Sequence, residues 1–340
     1  MWTHSSDTPV ACRSRLHRRI YSSQQLAARA PDLANTRRGI AMAFSSSSRH
    51  EESPEEATRD WADLPRDALL TALHSLGHVD ILTGAAQVCG PWARAAREEP
   101  ELWRRVDLRF HGGLISSRRA VDLNRMAREA VIRGAGQCEA FWGEGALDHS
   151  VLSLLRDTGA LSLKSLRLIS CEWIYDVPLA LTITKFTLLE ELELSNCRGD
   201  FPKTCAASGK ACPLLKRLRL SSKRFIKHSP VPTDGEATAI ATTMPGLRSL
   251  QLFAKRLSNG GLAAILDGCP LLESLDIRHC FNIVMNYEMR ARCSRVKTLR
   301  RPHDPTDDYD LEFSSPDMND PWARMRPQTE YYDEWEFSSR

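Results

Sequence analysis

The sequence predicts an α/β protein: a small N-terminal helical bundle, then a short solenoid of strands and helices, between disordered ends. Three observations predict it. A leucine phrase returns five times, as Leu163-Lys-Ser-Leu166-Arg-Leu168, Leu189-Glu-Glu-Leu192-Glu-Leu194, Leu215-Lys-Arg-Leu218-Arg-Leu220, Leu247-Arg-Ser-Leu250-Gln-Leu252 and Leu272-Glu-Ser-Leu275-Asp-Ile277. Its central leucines are spaced by 26, 26, 32 and 25 residues. Ahead of it, residues 61–108 place apolar side chains at helical spacing between Gly and Pro breaks. The two ends are polar and oppositely charged, with eight Arg against two Asp over 1–50 and eleven acids against three Arg over 303–340.

Residues 1–58 comprise a Ser- and Arg-rich stretch over 1–50 and an acidic linker, Glu51–Glu56. That composition suits disorder, and an organellar transit peptide shares it. Met42 offers a second plausible start.

The bundle is assigned to 59–108. Leu64-Pro65 opens it, since proline suits the first turn of a helix. Leu69, Leu70, Leu73 and Leu76 form one helical face, and Gly77 is expected to cap that helix. A second helix is expected from Asp80 to about Val88, with Ile81, Leu82, Ala85 and Val88 on one side. Gly90-Pro91 breaks it, and Pro91 starts a third helix carrying Trp92. Pro100-Glu-Leu-Trp103 makes a last turn. So small a bundle buries little core and needs a partner or neighbour. Leu64, Pro65, Leu69, Leu73, Ile81, Leu82, Val88, Cys89, Trp92 and Trp103 are therefore candidate docking residues, with Trp92 and Trp103 the two expected to face inward.

Residues 109–130 are read as a linker helix and 131–302 as the repeat array. A period near 25 residues carrying L-x-x-L-x-L is the leucine-rich-repeat signature. Within each unit the leucines alternate with polar residues over a short strand, and neighbours must stack to share a core. Val131–Leu155 reads as a degenerate first unit and Val296-Lys-Thr-Leu299 as a weak last one, giving about seven. The long step holds Lys223–Met244 as a unit with a loop insertion, and Gly199-Asp-Phe-Pro-Lys interrupts where a helix is expected. The outward strand positions form a candidate target surface: Arg167, Ile169, Glu191, Glu193, Arg217, Arg219, Gln251, Phe253, Asp276 and Arg278. The middle column, Arg167, Glu193, Arg219, Gln251 and Asp276, alternates in charge. That makes a poor phosphate track and fits ladder pairing between strands equally well. Residues 303–340 are expected to be an acidic, disordered tail.

No apolar run approaches the roughly 18–20 residues that span a bilayer. Gly209-Lys210 lacks the flanking residues of a phosphate loop, and neither G-x-S-x-G nor H-E-x-x-H occurs. Cys205/Cys212 and Cys280/Cys293 are too widely spaced for zinc pairs. Cys171, Cys197 and Cys280 instead hold one fixed place in the repeat, where a small buried thiol packs. The expectation is no catalytic residue, no metal and no cofactor.

The order Leu64-Pro65, Val88-Cys89-Gly-Pro-Trp92, Leu102-Trp103 resembles an F-box, and the cysteine-ended units that follow resemble those of plant F-box/LRR-repeat proteins. Trp61-Ala-Asp-Leu64-Pro65-Arg-Asp67 and Trp103-Arg-Arg-Val-Asp-Leu108 are similar to one plant subgroup; Gly90-Pro91 departs from the usual pair. The resemblance covers roughly 59–302. It implies a substrate receptor of an SCF-type ubiquitin ligase, docked on a Skp-type adaptor and through it on cullin and RING subunits. The repeats would hold a protein target, in the nucleus or cytoplasm. A scaffold of the same fold without a ligase role is the alternative.

Overall fold

The structure is a computed structural model that describes residues 61–109, 122–145, 147–158, 161–223 and 233–313. It divides into two compact units, one ending at Trp103 and the other beginning at Arg104.

The first unit is a helical bundle. Helix α1 spans Arg66–His74, α2 His78–Thr83 and α3 Gly90–Glu98, with short 3-10 turns at Trp61–Asp63, Ala85–Gln87 and Pro100–Trp103. Pro65 sits just before α1, and its carbonyl accepts from Leu69 N–H at 2.9 Å. Leu69 and Leu73 are buried, as is Ile81 of α2. Two helix ends differ from expectation. Ser75, not Gly77, closes α1: its hydroxyl and its N–H both donate to Ala72 O. Gly77 instead precedes α2. The helix expected over 80–88 stops at Gly84, because glycine is a poor helix former and Thr83 ties its own hydroxyl back to Val79 O. Pro91 lies in the first turn of α3 as expected. Trp92 and Trp103 face inward, and each indole finds an acceptor, Trp61 O and Ala96 O, both at 2.9 Å.

The second unit is a solenoid. Its eight described strands run parallel in sequence order: β1 Arg105–Leu108, β2 Ala140–Glu144, β3 Ser165–Ile169, β4 Glu191–Ser195, β5 Arg217–Ser221, β6 Ser249–Phe253, β7 Ser274–Asp276 and β8 Thr298–Arg300. The returning helices are α4 Leu123–Arg133, α5 His149–Asp157, α6 Asp176–Ile183, α7 Pro202–Ala211, α8 Gly235–Thr243, α9 Asn259–Gly268 and α10 Tyr287–Cys293. The phrase leucines stack in register, Phe141 to Leu166, Leu192, Leu218, Leu250, Leu275 and Leu299. Leucines 166 through 275 of that row are at most 1 % exposed and form the core.

Three devices lock the repeats together. The residue after a strand turns into left-handed backbone at Gly145, Ser170, Asn196 and Ala254, as does His279 three residues beyond β7, and its N–H donates across to the next repeat or its flank. Thiols follow the same logic: Cys197 Sγ donates to Leu168 O at 3.4 Å and Cys280 Sγ to Leu252 O at 2.6 Å. At the helix starts, Asp176 accepts from Lys203 and Thr204 N–H, Asp234 from Ser258 N–H, and Asn259 accepts from Val284 N–H. Lys255 is buried and pairs with Glu236 at 3.0 Å and Asp200 at 3.3 Å. Burial opposes its charge, but the two carboxylates outweigh that and raise its pKa.

Several expectations are corrected. The array has one more strand than the seven units expected, because Arg105–Leu108 pairs with Ala140–Gly143 rather than ending the bundle. Val106 and Leu108 turn inward there, but four residues without the leucine phrase carry little repeat signal. The helix placed at 109–130 runs from Leu123 to Arg133. It buries Leu123, Ala127, Ala130 and Val131 beside α5, so it is a repeat helix and not a linker. Gly199–Lys203 does not interrupt a helix but leads into one: Gly199 takes φ +95°, Phe201 is buried and Pro202 opens α7. In the long step, 224–232 lie outside the described residues, and α8 follows. Residues 303–313, expected to be disordered, lie folded against the sheet. The disorder expected of 1–58 and of 314–340 lies outside the described residues.

Candidate functional site

The strand residues that point away from the leucine core form an open face of three rows. The central row runs Asp107, Trp142, Arg167, Glu193, Arg219, Gln251, Asp276, Arg300. Period-two alternation puts these side chains on one side, as the sequence indicates.

In the first half of this face, polar side chains pair across neighbouring strands, although Arg167 Nε and Glu193 Oε2 are buried without a hydrogen-bond partner. Trp142 lies between the guanidinium groups of Arg109 and Arg167, 4.7 and 4.8 Å from its ring centroid. Its indole donates to Ser165 Oγ at 2.9 Å, and Ser165 donates to Glu191 at 2.7 Å. Arg167 donates to Glu191 at 2.6 Å. Burial pushes the Glu191 carboxyl up, but the bonds from Arg167 and Ser165 win and hold it below its ordinary value. Glu193 is 1 % exposed, between Arg167 at 3.7 Å and Arg219 at 3.6 Å.

In the second half, residues 303–313 cross the face as a strap. Asp310 takes a two-pronged bond from Arg219, at 2.6 and 3.2 Å. Asp308 accepts from Arg278 at 2.5 Å and also pairs with Arg300. Tyr309 stacks on Phe253 with centroids 3.8 Å apart and planes 11° from parallel. Phe313 meets Phe253, His279 and Tyr309 edge-on. Asn196 donates to Glu312 O and Arg278 to Pro305 O. Burial raises the Tyr309 phenol to about 12. Hydrogen bonding to Asp276 raises the pKa of Arg278, with Asp308 adding to it.

The expected target residues therefore divide. Ile169, Glu191, Glu193, Phe253 and Arg278 are buried and offer no direct surface; Glu191 and Glu193 serve as ladder partners, and Phe253 and Arg278 lie under the strap. Arg217 is exposed, while Arg167, Arg219, Gln251 and Asp276 are partly exposed. The strap residues Asp308, Tyr309, Asp310 and Phe313 were not among the sequence candidates. Their signal was present as acids and aromatics complementary to Arg219, Arg278 and Phe253.

The bundle candidates divide too. Leu69, Leu73, Ile81, Trp92 and Trp103 are core, since each is at most 5 % exposed. Pro65 is exposed, and Leu64, Leu82, Val88 and Cys89 are partly exposed.

The bundle sequence matches the F-box-like family model over residues 61–109. Among curated relatives from Arabidopsis thaliana, putative F-box/LRR-repeat protein 23 is 39 % identical over 74 % of this chain and 56 % of its own length. F-box protein SKIP19 is 37 % identical over 83 % of this chain and 89 % of its own. Putative F-box/LRR-repeat protein 22 is 37 % identical over 77 % and 83 %. The chain belongs to the F-box/LRR-repeat family.

The F-box-like match of this family member thus covers the bundle and, from Arg105 to Leu108, takes in the first strand of the LRR sheet. The described LRR cysteines are free thiols. Cys205 and Cys280 are fully buried, and desolvation raises both, Cys280 to about 12, which keeps them protonated. No group of three or more His, Cys, Asp or Glu among the described residues is arranged to hold a metal, and no described helix is long and apolar enough to cross a membrane.

Proposed function

We propose that this F-box/LRR-repeat protein is the substrate-recognition subunit of an SCF-type ubiquitin ligase. Its F-box docks on a Skp-type adaptor, which joins it to cullin and RING subunits, and its repeats hold a protein target. The observation that carries this reading is an F-box-like match falling on a bundle that leaves Leu64, Pro65, Leu82, Val88 and Cys89 accessible. An apolar edge on so small a unit is what a docking interface requires. The receptor does no covalent chemistry on this reading. It raises the effective concentration of target lysines near the charged conjugating enzyme. On the repeats, the target meets Arg167, Arg217, Arg219, Gln251 and Asp276.

The test is co-purification. Tagged full-length chain brings down Skp-type adaptor, cullin and RING subunit, and Leu64→Ala with Pro65→Ala abolishes the capture. A chain that captures no adaptor is a scaffold of the same fold, and the ligase reading fails.

A further inference from the structure

We propose that the second half of the LRR open face is a receptor for acidic, aromatic-centred peptide segments, and that residues 303–313 are its resident occupant, which the target displaces. The strap displays the chemistry that the face accepts. Arg219 reads one carboxylate with two N–H groups, Arg278 and Arg300 read a second, Phe253 reads the ring between them, and His279 meets Phe313. The matching strap sequence is Asp308-Tyr309-Asp310, with Phe313 following.

Two features mark this contact as exchangeable. The strap adds no strand to the sheet; it is held mainly by side chains, as a bound peptide is. Its two key carboxylates remain half exposed, at 51 % for Asp308 and 57 % for Asp310. The closed arrangement is also imperfectly satisfied. Arg219 Nε is buried without a hydrogen-bond partner. A partner that supplies an acceptor there gains what the strap forgoes. Being tethered, the strap competes at the high effective concentration of an intramolecular ligand, so apparent affinity for an outside peptide falls by the fraction of chains that are open.

This inference names the target class for the receptor reading and rests on it for biological purpose alone. The assay contains no adaptor, so failure here leaves adaptor docking standing, and failure of adaptor capture leaves peptide binding standing. The probe is a fluorescein-labelled peptide of residues 304–313, titrated against full-length chain by anisotropy. Tyr309→Ala with Asp310→Asn opens the face, and the peptide binds that chain at least tenfold more tightly than wild type. Adding Arg219→Glu to the opened chain loses at least tenfold. If the double variant melts below assay temperature, Asp310→Asn alone decides; it leaves the ring stacked and tightens binding about threefold. Binding no tighter in the opened chain, or unchanged by Arg219→Glu, makes the strap a permanent cap and overturns the proposal.

Discussion

The two halves of the open face carry the same alternating pattern yet end differently. In the first half, Arg167, Glu191, Glu193 and Ser165 close a ladder among neighbouring strands, with Trp142 between two guanidinium groups. In the second half, Arg219 and Arg278 pair with Glu193 and Asp276 on the sheet and take further carboxylates, with a ring for Phe253, from a segment that arrives from beyond the last repeat. The difference teaches that alternation fixes which way a side chain points, and not what lies over it. A ladder of opposite charges finds its partners on neighbouring strands. A surface whose arginines keep donors to spare beside an open ring takes a further partner from elsewhere.

The sharpest way to break this contrast is to remove the ring under the strap. Phe253→Ala lowers stability by about 4 kcal/mol, as for a fully buried phenylalanine, read by denaturant unfolding. A double-mutant cycle with Tyr309→Ala shows a coupling of about 1 kcal/mol, since stacked rings add to area burial. Zero coupling would mean that the strap does not rest on Phe253. In the first half, Glu193→Ala costs about 3 kcal/mol, because it leaves Arg167 and Arg219 facing each other without their shared carboxylate.

Acid tests the strap next. Bonding to Arg278 lowers the Asp308 carboxyl; for Asp310 burial works upward, and Arg219 outweighs it. Both folded values lie below the unfolded ones, so their contribution is complete above the ordinary carboxylate range. It is lost as pH falls below about 4. Tyr309 ring signals in NMR therefore stay dispersed from pH 7 to 5 and collapse toward random-coil positions below about 4. Collapse between 7 and 5 contradicts the assignment. The smallest effect belongs to Arg217→Ala: its ion pair to Glu191 at 3.5 Å is exposed at the arginine, so stability changes by about 0.5 kcal/mol or less.

Most of the framework was legible in the sequence. The leucines at 166, 192, 218, 250 and 275 fixed strand positions and register, because a shared core forces identical residues into one row. Trp92 and Trp103 faced inward as expected. What escaped depends on partners remote in the chain. Arg219 and Asp310 are 91 residues apart, and an acidic segment of low hydropathy reads as tail until its arginines are seen opposite. Strand β1 escaped because Val106 and Leu108 alone do not make a phrase. The bundle candidates were over-drawn for a related reason: one apolar spacing describes both the inner face of a helix and a docking edge, and only packing separates Leu73 from Leu82.

The receptor account is tested most directly by titrating a purified Skp-type adaptor into the full chain in a calorimeter. The account predicts one-to-one binding. It also predicts at least tenfold weakening by Leu64→Ala with Pro65→Ala, at an unchanged melting temperature, because neither side chain belongs to the buried core. No binding heat, or equal affinity in the double variant, would contradict it.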